Sequence, residues 1–294
     1  MLAPDGYCWL CNKYGKLTKE HIPPEKAFNA CPLLLKKIDE RSVQSGVMAW
    51  VGRTPYQHGM WFHSLCGECN NGYGGKYGRA YVDLVQRIAE RIGDVPFFHK
   101  ASILGVQRPL AILKQVMLQF VTANGASFVR TNEWVAQFIT QQYNTQIPRH
   151  VCIYLFASNM RGSRSSGVSA HIQLEKMRTN VVAEFTFWPL GTVISFDGEL
   201  SDQRLTPIHQ WAEYPFNYPG SVDLHLSVNP IASDYPIDFR TESQVQSEAL
   251  TSTNVKRPSK ESLHEMMKKA QQVSGETDGW VHSGHPNTVR KALE

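Results

Sequence analysis

No stretch of this 294-residue chain is apolar for the roughly 18–20 residues a helix needs to cross a bilayer. The longest apolar runs, such as Val151–Ala157, are strand-sized. The opening residues, Met1–Cys11, lack a basic segment leading into an apolar one, so no secretory leader is expected and the cytoplasm is the expected location. There is no internal repeat, which sets aside solenoids and propellers. Strong charge is absent too. The net value is +4, divided as +3 over residues 1–95, −1 over 96–250 and +2 over 251–294. That balance permits contact with a polyanion and does not demand it. Hydrophobic residues make up 42%, enough to bury a core, and the length fits one to three domains.

Cysteine is sparse and unevenly placed. Four of the six form two CxxC pairs, Cys8/Cys11 and Cys66/Cys69, leaving Cys31 and Cys152, most simply read as buried apolar residues. In a reducing compartment paired CxxC motifs read as metal ligands before disulfides. Two such turns supply the four soft, tetrahedral ligands that structural Zn²⁺ prefers. Fifty-four residues separate Cys11 from Cys66, so the pairs are not a simple ribbon and something is inserted between them.

Composition divides the chain into three regions. Residues 1–95 are rich in Cys, Gly, His and aromatics. Tyr7–Thr18 reads as a knuckle, Ala27–Arg41 as a loop with one short helix, and Met48–Trp61 as short strands. Asn70–Gly75 is turn-rich, and Ala80–Ile92 has helical spacing with Gly93 as its stop. Over 96–250, Leu110–Val121 and Asn132–Tyr143 read as helices. Val151–Ala157, Val168–Leu174, Val181–Trp188, Thr192–Phe196 and Val222–Val228 read as strands, with a hairpin across Pro189-Leu190-Gly191. Two helices and then a run of strands predict an α+β domain with an antiparallel sheet. Residues 251–294 are polar, with one helix over Ser259–Val273 and a loose tail.

The insert between the cysteine pairs carries Lys19-Glu20-His21-Ile22-Pro23. A carboxylate can hold a hard divalent cation, and an imidazole titrating near neutrality can take a proton from water. On an extended segment the two side chains point to opposite faces, so convergence needs a bend. Asn70 comes directly after Cys69, so a metal site that fixes Cys69 also fixes an amide oxygen one residue on. As alternatives, Glu20-His21 is a surface dipeptide and Asn70 a helix cap.

The order CxxC, then (Asp/Glu)-His-Ile-x-Pro, then CxxC-Asn resembles the zinc-containing branch of the HNH, or His-Me finger, endonucleases. It is carried here by Cys8-Trp9-Leu10-Cys11, Glu20-His21-Ile22-Pro23 and Cys66-Gly67-Glu68-Cys69-Asn70-Asn71, over about residues 7–92. The resemblance implies a zinc-stabilised ββα-metal domain with Cys8, Cys11, Cys66 and Cys69 on Zn²⁺. It implies His21 as general base and Glu20 and Asn70 as ligands of a catalytic Mg²⁺ or Mn²⁺, with Asn71 able to stand in. Trp61 stands where the family often has an Asn, and His63 nearby is a candidate for its orienting role. Tyr73 stands where a Lys is common, and Lys76 and Arg79 further on are candidate phosphate contacts. His58 and His63 otherwise read as packing or DNA-contact residues.

The function so implied is metal-dependent hydrolysis or nicking of DNA, with RNA an alternative substrate. Residues 96–250 would supply targeting, dimerisation, or sensing of a partner protein or small ligand, as in bacterial and phage defence or mobile-element effectors. The competing expectation is a zinc-stabilised nucleic-acid-binding module without catalysis.

Overall fold

The computed structural model describes residues 3–38, 50–92, 100–158, 163–173 and 178–229. The expected helix over Ser259–Val273 and the rest of 251–294 lie outside these. The fold is α+β with mainly antiparallel sheets.

The chain opens with β1 (Asp5–Tyr7) and β2 (Tyr14–His21), paired antiparallel with Tyr7 opposite Tyr14. Between them the Cys8–Cys11 knuckle closes by Cys8 N–H donating to Lys13 O at 2.9 Å and Asn12 N–H to Cys8 O at 2.9 Å. Asn12 takes a left-handed φ of 58° there, which Asn tolerates better than most residues. After residues 22–32 come β3 (Leu33–Ile38) and β4 (Trp50–Tyr56), a separate two-stranded sheet. The expected helix within Ala27–Arg41 is replaced by turns over residues 25–30 and by β3. The strand is set by its pairing with β4, which lies beyond the reach of a local pattern.

β5 (Trp61–Cys66) returns along β2, giving a sheet in the order β1-β2-β5. Its register with β2 slips beside Ser64, which is skipped between the Thr18↔Leu65 and Lys19↔His63 pairs. This bulge frees the Ser64 carbonyl to accept Trp9 N–H at 2.9 Å, fastening the first knuckle to the strand that leads into the second.

A helical turn (Gly67–Cys69), a π-helical turn (Asn70–Gly74) and α1 (Gly75–Ile92) then run on continuously. The helix starts earlier than the Ala80–Ile92 pattern and absorbs the turn-like glycines. Its apolar stripe, including Tyr77, Tyr81, Leu84, Val85, Ile88 and Ile92, is buried.

Next come β6 (Lys100–Gln107), unforeseen in the sequence, then α2 (Pro109–Asn124), α3 (Ala126–Thr131) and α4 (Glu133–Thr140). α2 packs against α1 and is buried almost all round. Lys114, fully buried on α2, donates to the carbonyls of Phe138, Gln141 and Asn144, and so closes the C-terminal end of α4. Burial pulls its ammonium down to about 7.

The large sheet holds β6, β7 (Cys152–Ser158), β8 (Ser163–Gln173), β9 (Arg178–Phe187), β10 (Leu190–Ser195), the two-residue β11 (Thr206–Pro207) and β12 (Ser221–Asn229). Its order is β6-β12-β7-β10-β9-β8, with β11 also on β7. β12 runs parallel to β7, and the other described pairs are antiparallel. The unbroken apolar run of β7 reflects burial of both faces. Ile153, Leu155 and Ala157 join the core around α2, while Cys152, Tyr154 and Phe156 pack with Val182, Val193, Leu200 and Leu205 on the other side. One apolar cluster runs from Cys8 through α1 and α2 to Phe216, so the cysteine-bearing sheet shares its core with the α2 helix and the large sheet. No helix among the described residues is long and apolar enough to cross a membrane.

Candidate active site and metal centre

The four knuckle sulfurs all lie within 4.8 Å of one another. Cys11 Sγ and Cys66 Sγ are 3.8 Å apart, and none of the cysteines is bridged. A disulfide would need about 2.05 Å. Tetrahedral zinc with Zn–S of about 2.3 Å places its sulfurs roughly 3.8 Å apart. Cys8 and Cys69 are buried, and Cys11 and Cys66 half-buried. A hydrogen bond from the Cys69 thiol, helped by backbone N–H groups, pulls Cys8 down to about 4 against the effect of burial. Cys69 is pushed up, as donor to Cys8 and by burial. Burial raises Cys11. Four sulfurs that close cannot all ionise without a cation, and the donor set can hold a structural metal such as zinc.

Beside this cluster the two strands and the helical turn bring together the acid and the amide that the sequence singled out. Asn70 Nδ2 donates to Thr18 Oγ1 at 3.0 Å and to Lys19 O at 2.9 Å. A backbone carbonyl only accepts, so the NH₂ group must face β2 and the amide orientation is fixed. Thr18 Oγ1 passes its own proton to Leu65 O at 2.9 Å, locking β2, β5 and the turn together. Oδ1 is left pointing away from β2. A Cβ placed on Gly74 would lie 3.3 Å from that oxygen and 3.8 and 3.9 Å from the two Glu20 carboxylate oxygens. The missing side chain of Gly74 therefore leaves a notch walled by three oxygens.

Glu20 is 4% exposed, and its side chain makes no hydrogen bond or ion pair among the described residues. Burial pushes its carboxyl up to about 8. A buried carboxyl of this kind is either held protonated or paired with a cation. The donors in the notch are hard oxygens, the set a hard divalent ion takes.

His21 ends β2, opposite Trp61. Its Nε2 lies 3.1 Å from His58 O. The carbonyl accepts, so Nε2 carries the proton, and Nδ1 is the nitrogen with the lone pair in the neutral ring. Alternation turns Thr18 and Glu20 to the α1 side and Lys19 and His21 to the other, so acid and imidazole flank the end of the strand.

Behind His58 stands a residue that carried no signal in the sequence. Asn29, fully buried, donates from Nδ2 to Pro23 O (2.7 Å) and Met60 O (2.8 Å) and accepts Met60 N–H on Oδ1 (2.6 Å). Met60 O also accepts Ile22 N–H at 3.1 Å. The segment leaving His21 is thereby stapled to the turn that supplies the His58 carbonyl.

The remaining candidates fall at different places. Asn71 is exposed and its side chain makes no hydrogen bond among the described residues, whereas Asn70 lines the notch. Lys76 is exposed on the first turn of α1. Arg79 neighbours Lys26, whose ammonium is held below its ordinary value by burial and by that guanidinium. His63 sits on the Lys19–His21 face, its Nδ1 3.3 Å from Leu17 O and its ring 5.1 Å from Trp61. Thr18, Gly74 and Asn29 were not foreseen, and His58, expected as a packing or DNA-contact residue, takes part through its carbonyl. Only the spacing of Thr18 to Glu20, two residues apart on one strand face, held a signal for any of them.

No family model, curated protein or solved structure matches the chain.

Proposed function

We propose that the chain is a metal-dependent endonuclease that hydrolyses phosphodiester bonds in DNA from an HNH-type ββα-metal site built on β2, β5 and the helical run into α1. The observation that carries this reading is the Asn70 amide. Both of its hydrogens are spent on β2, and its oxygen lies with the Glu20 carboxylate around Gly74, a carboxylate with no side-chain partner among the described residues.

Glu20 and Asn70 would hold a Mg²⁺ or Mn²⁺ ion, and such an ion offsets charge on the scissile phosphate and the departing oxygen when bound. The chain's own residues supply the rest. His58 O holds the His21 ring with Nδ1 as its acceptor, and Nδ1 takes a proton from the water that attacks phosphorus. The new P–O bond forms as the bond to the 3′ oxygen breaks, leaving 5′-phosphate and 3′-hydroxyl ends once the 3′ oxygen gains a proton from solvent. The four cysteines with structural zinc would fix Cys69, and through it Asn70. Residues 96–250 would control or target the cut.

Plasmid cleavage with Mg²⁺ or Mn²⁺ tests the reading. His21→Ala is expected to lower the rate by roughly 10²–10⁴-fold, the contribution of a positioned general base. A His21→Ala chain that cuts as fast as the parent removes the assignment. Salt-sensitive DNA binding with no turnover under any divalent ion would instead establish a binding module.

A further inference from the structure

One cation beside the proposed site is presented without a carboxylate. Lys19 is exposed, and no acidic partner meets it among the described residues. Its Nζ lies 4.2 Å from the centroid of the Trp61 ring. Cross-strand pairs share a face, so the Lys19↔His63 and His21↔Trp61 register gathers these four side chains on the side of the sheet away from α1. The indole is itself held edge-on by His63 at 5.1 Å and by Tyr56 at 5.8 Å. The Lys19 backbone is fixed as well, because its carbonyl accepts the Asn70 amide at 2.9 Å.

A lysine stem ordinarily samples many rotamers, and ordering it costs binding energy. Here the ring quadrupole holds the ammonium over a braced indole, and no anion among the described residues neutralises it. Lys19 and His21 lie two residues apart on one face of β2, and the ammonium sits over Trp61, the residue paired with His21. The occupant that this charge complements is a phosphodiester strand.

We infer that Lys19, seated on Trp61, is a substrate-positioning residue that contacts a backbone phosphate next to the one hydrolysed. The inference rests on the nuclease reading for the word substrate, while the phosphate contact itself does not require turnover.

The test uses full-length protein. Binding of a short labelled DNA duplex by the His21→Ala chain, with and without Lys19→Met, is measured over a salt series without divalent cations. Cleavage is measured in the chains that keep His21. Lys19→Met keeps the stem and removes the charge. The expected result is binding weakened roughly three- to tenfold at low salt, with the slope of log K against log salt smaller by about one. KM should rise by a similar factor with kcat within about twofold, the melting temperature should be unchanged, and Lys19→Arg should restore binding. If the parent cuts DNA while Lys19→Met leaves slope and KM unaltered, the Lys19 contact is overturned and the nuclease reading stands. If nothing cuts but the slope still falls, the contact stands and the nuclease reading fails. Absence of duplex binding at any salt overturns the contact.

Discussion

Asn70 is tied to Lys19 across the end of the sheet: its amide donates 2.9 Å to the Lys19 carbonyl and 3.0 Å to Thr18 Oγ1, which leaves its oxygen beside Gly74, where the Glu20 carboxylate also lies. The bond spans fifty-one positions of sequence, and Cys69 determines where it begins.

That arrangement separates two substitutions at Asn70. Asn70→Ala removes both hydrogen bonds and the oxygen. It should cost roughly 1–3 kcal/mol of stability and lower single-turnover cleavage at least about a hundredfold. Asn70→Asp keeps the shape but turns a carboxylate toward the Lys19 carbonyl and sets a second carboxylate beside Glu20. It should be the less stable of the two once the new carboxyl ionises, because that carboxylate then faces the Lys19 carbonyl with no hydrogen to offer it. Cleavage at the parent rate by Asn70→Ala would show that the amide oxygen takes no part.

Glu20 gives a pH dependence of definite sign. Its carboxyl is pushed up to about 8 in the fold against an ordinary 4.5, so between those values the folded chain binds a proton that the unfolded chain has released. Stability contributed at this position therefore falls as pH rises from 4.5 toward 8, and the loss is complete above that. Glu20→Gln should raise stability by roughly 2–4 kcal/mol at pH 8, and by little below 4.5, while abolishing cleavage. Adding Mg²⁺ should raise the melting temperature of the parent and leave that of Glu20→Gln where it was. Equal responses of the two chains would mean that the cation binds elsewhere.

The cysteine cluster predicts metal in the purified protein. Native mass spectrometry should find zinc on the chain, and Cys69→Ser or a strong chelator should remove it. Because Cys8 and Cys69 are buried in the same apolar cluster as α1 and α2, loss of the ion should lower the melting temperature of the whole described core. A chain that melts at the same temperature with and without chelator would make the cluster a set of ordinary buried thiols.

Much of this was legible in the sequence where a short-range pattern decided the outcome. The helical spacing of α1, the buried run of β7 and the alternation of Val222, Leu224 and Leu226 each matched an element. The two CxxC pairs announced a four-sulfur cluster because cysteine at that spacing has few other uses in a reducing compartment. What was missed depends on partners remote in sequence. β3 is defined by pairing with β4, and β6 by pairing with β12 more than a hundred residues later. Gly74 looked like turn punctuation, yet it leaves room for the Asn70 and Glu20 oxygens within a helical run. The bulge at Ser64 has no composition of its own, and appears only when the knuckle's Trp9 N–H needs an acceptor.

Asn29 offers the sharpest separation of support from chemistry, because it touches none of the reacting groups. Its side chain satisfies Met60 N–H, Met60 O and Pro23 O inside the core. Gly59 is pressed against it, with φ +73° and a hypothetical Cβ only 1.8 Å from Asn29 O. Asn29→Ala strands the buried Met60 N–H and the Pro23 carbonyl, while Met60 O keeps Ile22 N–H, and should cost roughly 2–4 kcal/mol. It also releases the turn that carries the His58 carbonyl, so kcat should fall more than KM changes as the His21 ring loses its orientation. Asn29→Asp can still accept Met60 N–H, but it turns an oxygen toward the Pro23 and Met60 carbonyls, of which only Met60 O keeps another donor, Ile22 N–H. Only its protonated form can satisfy one of them, so its folded pKa is raised, and its stability relative to the parent should improve as pH falls toward the ordinary carboxylate range. A thermal-melt series against pH checks this directly. An Asn29→Asp chain whose stability deficit does not shrink on acidification would mean that the staple is not held by these hydrogen bonds.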